Sequence, residues 1–452
     1  MNLISRYPIL CLFLPCIPSR LILRRRCKTK IIHTLEPFEI CSIRPPTENY
    51  SLTFRLTRNC GWNRCLFCPV YKYGVKFSRR TIDEVKKDIE RAKKIDDYIM
   101  ENLISGITSI GEGYSELEKI IKELKNVGKE DNDNVQNTID NYGDERIKWF
   151  SQWFKDKPDL EDSLNHVYTW RMAGGETCFF GDANTLLVKP DFFAQVMEYV
   201  NMHFPTLKRF TVYGRTNTAA HMDIEDLRSF GKAGLNRIHF GIESGSNRVL
   251  SFMKKGVTGE EHIEGCLKTR EAGISPSVYI MPGLGGNNWS HEHAYETAHV
   301  LTKAMPDYIR IRTLEIFAGT PLMRAKEAGE FIEAEEEQVV KEIKIIVENT
   351  EAETTIISDS ASNLLDVHGR LPWDRKNMLS VINTYLDLSP REKLEFSLSS
   401  RLNSFMGQYG GITQDIYKLL MPYIGKGSID TSIIPHEDLK RITRHIRSKL
   451  MP

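Results

Sequence analysis

The chain has 452 residues and a formal net charge of +1, which gives no electrostatic reason to expect binding to nucleic acid. Its hydrophobic content of 41% and charged content of 27% are typical of a globular protein. The length allows roughly two or three domains. Nine cysteines at irregular spacing favour reduced thiols in a cytoplasmic protein over a disulfide framework.

The first 40 residues differ in composition from the rest and are interpreted as an atypical N-terminal extension. Their apolar segment, residues 7–17, is interrupted by two prolines and is too short to span a bilayer. A disordered extension, a targeting segment and a functional segment all remain open. We assign no role to its cysteines, and we expect no membrane partner.

Six short segments alternate apolar and polar residues with the period of a β-strand. They are residues 52–57, 167–173, 209–215, 237–243, 277–281 and 308–314. Helical patterns between them predict parallel strands joined by right-handed crossovers. The predicted fold class is α/β, with a partial (β/α)6 TIM-like barrel over residues 41–330.

Two helical regions accompany the predicted barrel. Residues 80–165 follow the first strand as an insertion, with helices at 81–94 and 115–125, a surface loop at 128–144 and an aromatic segment from 147. We interpret this insertion as a cap over one end of the barrel. Residues 331–452 are mostly helical in pattern and are predicted to form a C-terminal helical domain.

The strand patterns place polar side chains in the predicted barrel interior. The charged members of this set include Arg55, Arg171, Arg310 and Arg312. Buried charges need partners, so either an anionic substrate or internal ion pairs would have to stabilise them. Both explanations remain open at this stage.

Three cysteines lie close together directly after the first predicted strand. Cys60, Cys65 and Cys68 form a Cys-x4-Cys-x2-Cys pattern. Three thiolates can bind three irons of a cubane iron–sulfur cluster and leave the fourth iron open for chemistry. The alternative is a zinc site completed by a remote cysteine, such as Cys178 or Cys266.

Glycine-rich motifs follow three of the other predicted strands. Gly174-Gly175-Glu176 follows the second, Gly241-Ile242-Glu243-Ser244-Gly245 the fourth, and residues 281–286 the fifth. Active-site loops of parallel barrels gather at the carboxyl ends of the strands. Each motif alone is typical of a tight turn, whereas their combination indicates a ligand site.

The order of the cysteine loop, the Gly-Gly-Glu motif and the Gly-Ile-Glu-Ser-Gly motif closely resembles the radical S-adenosylmethionine (SAM) superfamily. Within it, the chain is similar to the branch that includes the Elongator catalytic subunit, MiaB-type methylthiotransferases and NifB. The resemblance covers roughly residues 50–325. The superfamily usually has three residues between the first two cysteines, and this chain has four.

The resemblance implies a role for each matching residue. Cys60, Cys65 and Cys68 would bind a 4Fe–4S cluster, and SAM would chelate the fourth iron. The implied SAM-binding residues are Phe67 near the adenine, Gly174, Gly175 and Glu176 at the methionine ammonium, and Glu243 and Ser244 at the ribose or methionine. Arg215 is assigned to the methionine carboxylate from its position and charge.

The function implied by the resemblance is reductive cleavage of SAM to a 5′-deoxyadenosyl radical, which abstracts hydrogen from a substrate. The interior arginines favour a small anionic metabolite. A one-electron donor such as flavodoxin or ferredoxin would supply the electron, and we expect no nucleic acid partner. The alternative is a non-catalytic zinc or iron–sulfur scaffold, which explains the cysteines but not the strand-end motifs.

Overall fold

The computed structural model describes residues 34–41, 43–72, 76–104, 110–127, 158–425 and 428–450. Within them, the strands in chain order are β1 (Leu52–Arg55), β2 (Thr57–Arg58), β3 (Ser78–Arg79), β4 (Thr177–Gly181), β5 (Arg209–Gly214), β6 (Arg237–Glu243), β7 (Ser275–Ile280), β8 (Tyr308–Ile311), β9 (Thr354–Ile357), β10 (Gly369–Leu371), β11 (Ile424–Gly425) and β12 (Ser428–Ile429).

Fifteen α-helices accompany these strands in the described residues. In chain order they are α1 (Ile82–Ile99), α2 (Ile110–Val127), α3 (Leu160–Met172), α4 (Pro190–His203), α5 (Thr216–His221), α6 (Ile224–Lys232), α7 (Asn247–Phe252), α8 (Gly259–Glu271), α9 (Ser290–Ala304), α10 (Pro321–Glu327), α11 (Glu336–Asn349), α12 (Arg375–Leu386), α13 (Pro390–Tyr409), α14 (Gln414–Leu420) and α15 (His436–Arg447). Among the described residues, no helix is both long and apolar enough to cross a bilayer.

One eight-stranded sheet forms the centre of the molecule, in the order β1-β4-β5-β6-β7-β8-β9-β10. Neighbours from β1 to β9 pair in parallel, and β10 pairs antiparallel with β9. The predicted mixed α/β fold with a mostly parallel sheet is thus confirmed. The sheet has two strands more than predicted, because β9 and β10 continue it beyond residue 331.

One predicted strand is wrong. Residues 167–173 belong to α3, and the second strand of the sheet is β4. The helix begins at Asp159, whose side chain accepts a hydrogen bond from the Asp162 amide, and it buries Leu164, Val167 and Tyr168 at helical spacing. The strand-like alternation of residues 167–173 therefore belongs to a helix that buries one face.

Two of the three clusters of buried apolar residues among the described residues form most of the core, and the third lies at the cysteine loop. The larger cluster runs from Leu35 to Tyr385 and includes the sheet and the helices packed on it. The smaller cluster, from Leu398 to Leu450, lies among α13, α14 and α15. The predicted domain boundaries remain a prediction; the larger core continues past residue 331 through α11 and α12.

The predicted helices of the insertion are confirmed as α1 and α2. A capping box at Thr81 and Glu84 begins α1, which packs against β1, α3 and α4 and therefore flanks the sheet. The predicted loop at 128–144, most of the aromatic segment and the cysteines of the N-terminal extension lie outside the described residues.

Candidate active site

A pocket lies at the carboxyl ends of the central strands, and residues at or next to the ends of β5, β6, β7 and β8 line it. This is the end at which parallel barrels place their active sites. Its polar and ionisable lining residues are Cys60, Cys65, Cys68, Tyr71, Tyr213, Arg215, Glu243, Lys255, Tyr279, Arg312, Thr313 and Glu315. The three cysteines predicted as cluster ligands thus share one pocket with Phe67, Arg215 and Glu243.

Backbone amides of the cysteine loop stabilise its thiolates, whereas burial and the neighbouring cysteines disfavour them unless a cationic centre is bound. The Asn63 amide donates a hydrogen bond to Cys60 Sγ at 3.3 Å. Burial and the neighbouring Cys65 and Cys60 raise the pKa of Cys68 to about 11, while hydrogen bonds from the amides of Val70 and Tyr71 favour its thiolate. Thiols buried this close together ionise readily only when a metal centre compensates their charge.

The chemistry of this donor set fits a cubane cluster better than zinc. Within the described residues, no group of three or more His, Cys, Asp or Glu side chains is arranged around one ion. A cubane does not require this, because each thiolate binds a different iron. The two cysteines considered as a remote zinc ligand, Cys178 and Cys266, are fully buried in the larger apolar core and do not line the pocket.

A buried ion pair holds the beginning of the cysteine loop. Asp182, directly after β4, accepts hydrogen bonds from Arg55 Nη2 at 2.6 Å and from the Asn59 amide at 2.7 Å. Asn59 has a φ of 64°, in the left-handed region that few non-glycine residues adopt. The carboxylate therefore fixes the backbone one residue before Cys60.

The far side of the loop is anchored by backbone hydrogen bonds and a small apolar cluster. The Leu66 amide donates to the Met253 carbonyl, and the Leu322 amide donates to the Leu66 carbonyl, each at 3.0 Å. Phe67 packs in the cluster that also contains Met253 and Leu284. The loop is thus held to elements after β6 and β8 as well as to β4.

Glu243 ends β6 with its side chain folded back over the strand. Its φ is 64°, and the pairing register between β6 and β7 shifts at this point. A Cβ at Gly241 would lie 2.2 Å from Glu243 Oε1, so a larger residue there would displace the carboxylate from this position. Lys255 Nζ donates to Glu243 Oε1 at 3.0 Å and lies 5.8 Å from the Phe67 ring centroid.

Arg215 connects the cysteine loop to the segment after α7. Its Nη2 donates to the carbonyls of Lys255 at 2.7 Å and Gly256 at 3.0 Å, and its guanidinium lies 5.0 Å from a ring centroid of Trp62. Burial lowers the pKa of Arg215, although the nearby Cys65 and Cys60 oppose this effect. It therefore lies on the pocket wall, with part of its hydrogen-bonding capacity used within the protein.

Ser244 is fully buried and does not line the pocket. It is hydrogen-bonded to His293 Nδ1 at 2.8 Å, and His293 Nε2 lies 3.7 Å from Glu342. Glu342 in turn accepts hydrogen bonds from the Gly283 amide at 2.6 Å and from Ser290 Oγ at 2.5 Å. This buried network joins the loop after β6 to the glycine-rich loop after β7.

The structure does not bring Gly174, Gly175 and Glu176 to the pocket. The two glycines have φ values of 102° and 67° and end α3, and Glu176 precedes β4 at the opposite end of the sheet. Glu176 is exposed and pairs with Lys208 Nζ at 2.5 Å. The motif was predicted to follow a strand at residues 167–173. Because these residues are helical, the motif instead precedes β4 and lies at the amino end of that strand.

The structure places only one of the four predicted interior arginines at the pocket, and the other three form ion pairs within the protein. Arg171 lies on α3 and pairs with Asp96 at 2.6 Å, outside the sheet interior. Arg55 pairs with Asp182, and Arg310 pairs with Asp359 at 2.6 Å, so internal ion pairs account for both. Of the four arginines, Arg312 alone is among the described residues that line the pocket.

A family model for the radical SAM superfamily matches residues 148–298, which include β4 to β7. The chain contains a radical SAM domain. The superfamily match confirms the predictions of a radical SAM enzyme and of its two cofactors, a 4Fe–4S cluster and SAM. Two pocket residues that were predicted to bind SAM, Arg215 and Glu243, lie inside the matched range.

Two curated relatives are both named tRNA uridine(34) acetyltransferase. The protein from Methanocaldococcus infernus is 25% identical over 120 residues, and that from Methanocaldococcus jannaschii is 24% identical over 118 residues. Each match covers 26% of this chain and only 22% of the relative. Together with the family match, they confirm the predicted branch of the superfamily that includes the Elongator catalytic subunit and leave the substrate open.

Solved structures resemble the chain more distantly. An archaeal Methanocaldococcus infernus Elp3 with an N-terminal deletion is 17% identical, with a TM-score of 0.37, over 49% of this chain and 57% of that one. Methylornithine synthase (PylB) is 12% identical, with a TM-score of 0.37, over 72% of this chain and 77% of that one.

Three functional candidates in the radical SAM domain and its surroundings were not found from the sequence. Asp182, Lys255 and Tyr279 contact or line the site, yet none lies in a motif used for prediction. The available signal for Asp182 was its position two residues after the apolar run Cys178-Phe179-Phe180, which lies within β4. Lys255 carried no local signal, and Tyr279 lies on the predicted strand at 277–281 but in no motif; the fold brings both to the pocket.

The buried network behind the pocket gives a pH prediction. Burial raises the pKa of Glu342 from 4.5 to about 8, although Ser290 and the Gly283 amide favour its carboxylate. The folded state therefore holds this proton more tightly than the unfolded state, and its contribution to stability is lost as pH rises toward 8. Relative to Glu342→Gln, the wild-type free energy of unfolding should fall by about 2 to 4 kcal/mol between about pH 5 and about pH 9.

Urea unfolding of both proteins at several pH values checks this prediction. Glu225→Gln, a matched change of an exposed glutamate on α6, should leave the wild-type pH dependence unchanged. If the free energies of unfolding of wild type and Glu342→Gln differed by the same amount at every pH in this range, the prediction of a buried, protonated Glu342 carboxyl would be contradicted.

Proposed function

We propose that this protein binds a 4Fe–4S cluster through Cys60, Cys65 and Cys68 and uses it to cleave SAM reductively. When bound, the cluster supplies one electron that splits SAM into methionine and a 5′-deoxyadenosyl radical, which takes a hydrogen atom from the substrate to give 5′-deoxyadenosine. The observation that carries the proposal is the convergence of the three cysteines with Phe67, Arg215 and Glu243 in one pocket at the carboxyl ends of the strands.

The chain's own residues would hold SAM in this pocket. Glu243 is buried beside Lys255 and can accept hydrogen bonds from an ammonium or a ribose hydroxyl, while Phe67 offers an aromatic surface near the adenine. Arg215 can place positive charge near a carboxylate. Ser244 would act as a positioning residue through His293, and we propose no SAM contact for Gly174, Gly175 or Glu176.

An anionic substrate remains part of the proposal, now supported mainly by Arg312. We further propose a one-electron donor such as flavodoxin or ferredoxin and a reducing, cytoplasmic location, which an oxygen-sensitive cluster favours. The expectation that nucleic acid is no partner loses support, since both curated relatives are named as enzymes acting on tRNA.

The product of SAM cleavage provides the test. After anaerobic purification and reconstitution with iron and sulfide, the protein is mixed with dithionite and SAM, and 5′-deoxyadenosine is quantified by mass spectrometry. We expect wild type to form it and Cys65→Ala to form at least 100-fold less, because the cluster is lost. Tightly bound zinc, with no cluster and no 5′-deoxyadenosine, would contradict the proposal and support the scaffold.

A further inference from the structure

A second, larger cavity lies beside the pocket that holds the cysteines. Its volume is about 1170 Å³, compared with about 210 Å³ for the cysteine pocket. The two cavities share four lining residues, Ile43, Val70, Tyr279 and Arg312. A molecule in the larger cavity would therefore lie directly against the wall of the cofactor site.

Tyr279 in this shared wall has an unsatisfied hydroxyl group. Its side chain extends from β7 and the residue is only 8% exposed. Within the described residues, its buried hydroxyl has no hydrogen-bond partner. Leaving a buried hydroxyl unpaired is energetically unfavourable, so the group is suited to a bound ligand that completes its hydrogen bonding.

The inner part of the larger cavity is cationic. Arg312 lines it, and Arg44 reaches it from the segment before β1. Arg44 Nη1 lies 3.4 Å from the Cys41 carbonyl and 3.5 Å from His166 Nδ1, and no carboxylate of the described residues forms a salt bridge with it. The acidic residue on this wall, Asp359, is already neutralised by Arg310 at 2.6 Å.

The outer part of the cavity is polar but carries little net charge. Ser358 and Ser360 follow β9, and Ser404 and Gln408 line the cavity from α13. At the rim, Asp366 pairs with His368, and Arg370 pairs with Glu353. These hydroxyl and amide groups suit a hydroxyl-bearing molecule better than an apolar one.

We propose that the larger cavity is the substrate site and binds a phosphorylated, hydroxyl-bearing small molecule. Arg44 and Arg312 bind its phosphate group, and the Tyr279 hydroxyl donates a hydrogen bond to it at the wall of the cofactor pocket. Guanidinium groups match phosphate oxygens in geometry and charge. The inference rests on the proposed function, because it supplies the substrate from which hydrogen is taken.

Inorganic pyrophosphate is the probe for this site, measured by isothermal titration calorimetry on the full chain. We expect one pyrophosphate per wild-type chain and at least tenfold weaker binding by Arg44→Gln, Arg312→Gln and Tyr279→Phe. Tyr308→Phe, a matched change at the amino end of the neighbouring β8, should bind like wild type. Circular dichroism and thermal unfolding establish that each variant is folded.

Absence of pyrophosphate binding by wild type, or equal binding by Tyr279→Phe and wild type, would overturn the inference. A loss of SAM binding in Tyr279→Phe with pyrophosphate binding unchanged would also overturn it, since the hydroxyl would then serve the cofactor. The expected pyrophosphate pattern in a protein that never forms 5′-deoxyadenosine would support the anion site and contradict the proposed function instead.

Discussion

Single Cys→Ala changes at Cys60, Cys65 and Cys68 are expected to reduce iron from about four atoms per chain to less than one after anaerobic reconstitution. The same substitution at Cys178 or Cys266 should leave iron content and cluster absorbance unchanged. The reason is positional: the first three line the pocket, whereas the other two are fully buried in the apolar core.

Iron, sulfide and zinc analysis of the five variants together measures this effect. A zinc site with a remote fourth cysteine would give the opposite pattern, with Cys178→Ala or Cys266→Ala losing metal as severely as the pocket cysteines. That result would contradict a 4Fe–4S cluster at these cysteines and would support the interpretation of the protein as a non-catalytic zinc scaffold.

Asp182→Asn is expected to destabilise the protein by about 3 kcal/mol, because it leaves the buried Arg55 without its nearest carboxylate. The asparagine oxygen can still accept a hydrogen bond from the Asn59 amide, so the loss should come mainly from the broken ion pair. Glu39, at 3.7 Å from Arg55, compensates only in part. Urea unfolding of the cluster-free protein measures the change in free energy.

The matched control for this prediction is Glu225→Gln, which removes one carboxylate from an exposed ion pair with Arg228. Exposed pairs contribute about 0 to 1 kcal/mol, so its unfolding curve should nearly match wild type. Equal curves for Asp182→Asn and wild type would show that the Arg55–Asp182 pair does not hold the beginning of the cysteine loop.

Local sequence was sufficient for the parts of the site that lie on one continuous segment. The cysteine spacing identified Cys60, Cys65 and Cys68, and the alternating pattern of β6 placed Glu243 at the end of its strand. In both cases the functional residues and the structural signal lie within about ten residues of each other. Their convergence in one pocket follows from the parallel order of the sheet.

Local sequence was not sufficient where two elements met within a short segment. Residues 160–181 contain a helix, a glycine turn and a strand, and the alternation within α3 resembled a strand. The Gly-Gly-Glu motif was therefore assigned to the pocket, while Asp182, at the true carboxyl end of β4, was missed. Arg44 depends on distant packing that no periodicity in the sequence encodes, and the alternation of residues 277–281 did not single out Tyr279.

Electron paramagnetic resonance of the reconstituted, dithionite-reduced protein, recorded with and without SAM, tests the central claim most directly. We predict a reduced-cluster signal in wild type whose g values shift when SAM is added, since the amino and carboxylate groups of SAM would bind the open iron. A cluster signal that saturating SAM leaves unchanged, or no cluster signal at all, would contradict a radical SAM site at Cys60, Cys65 and Cys68.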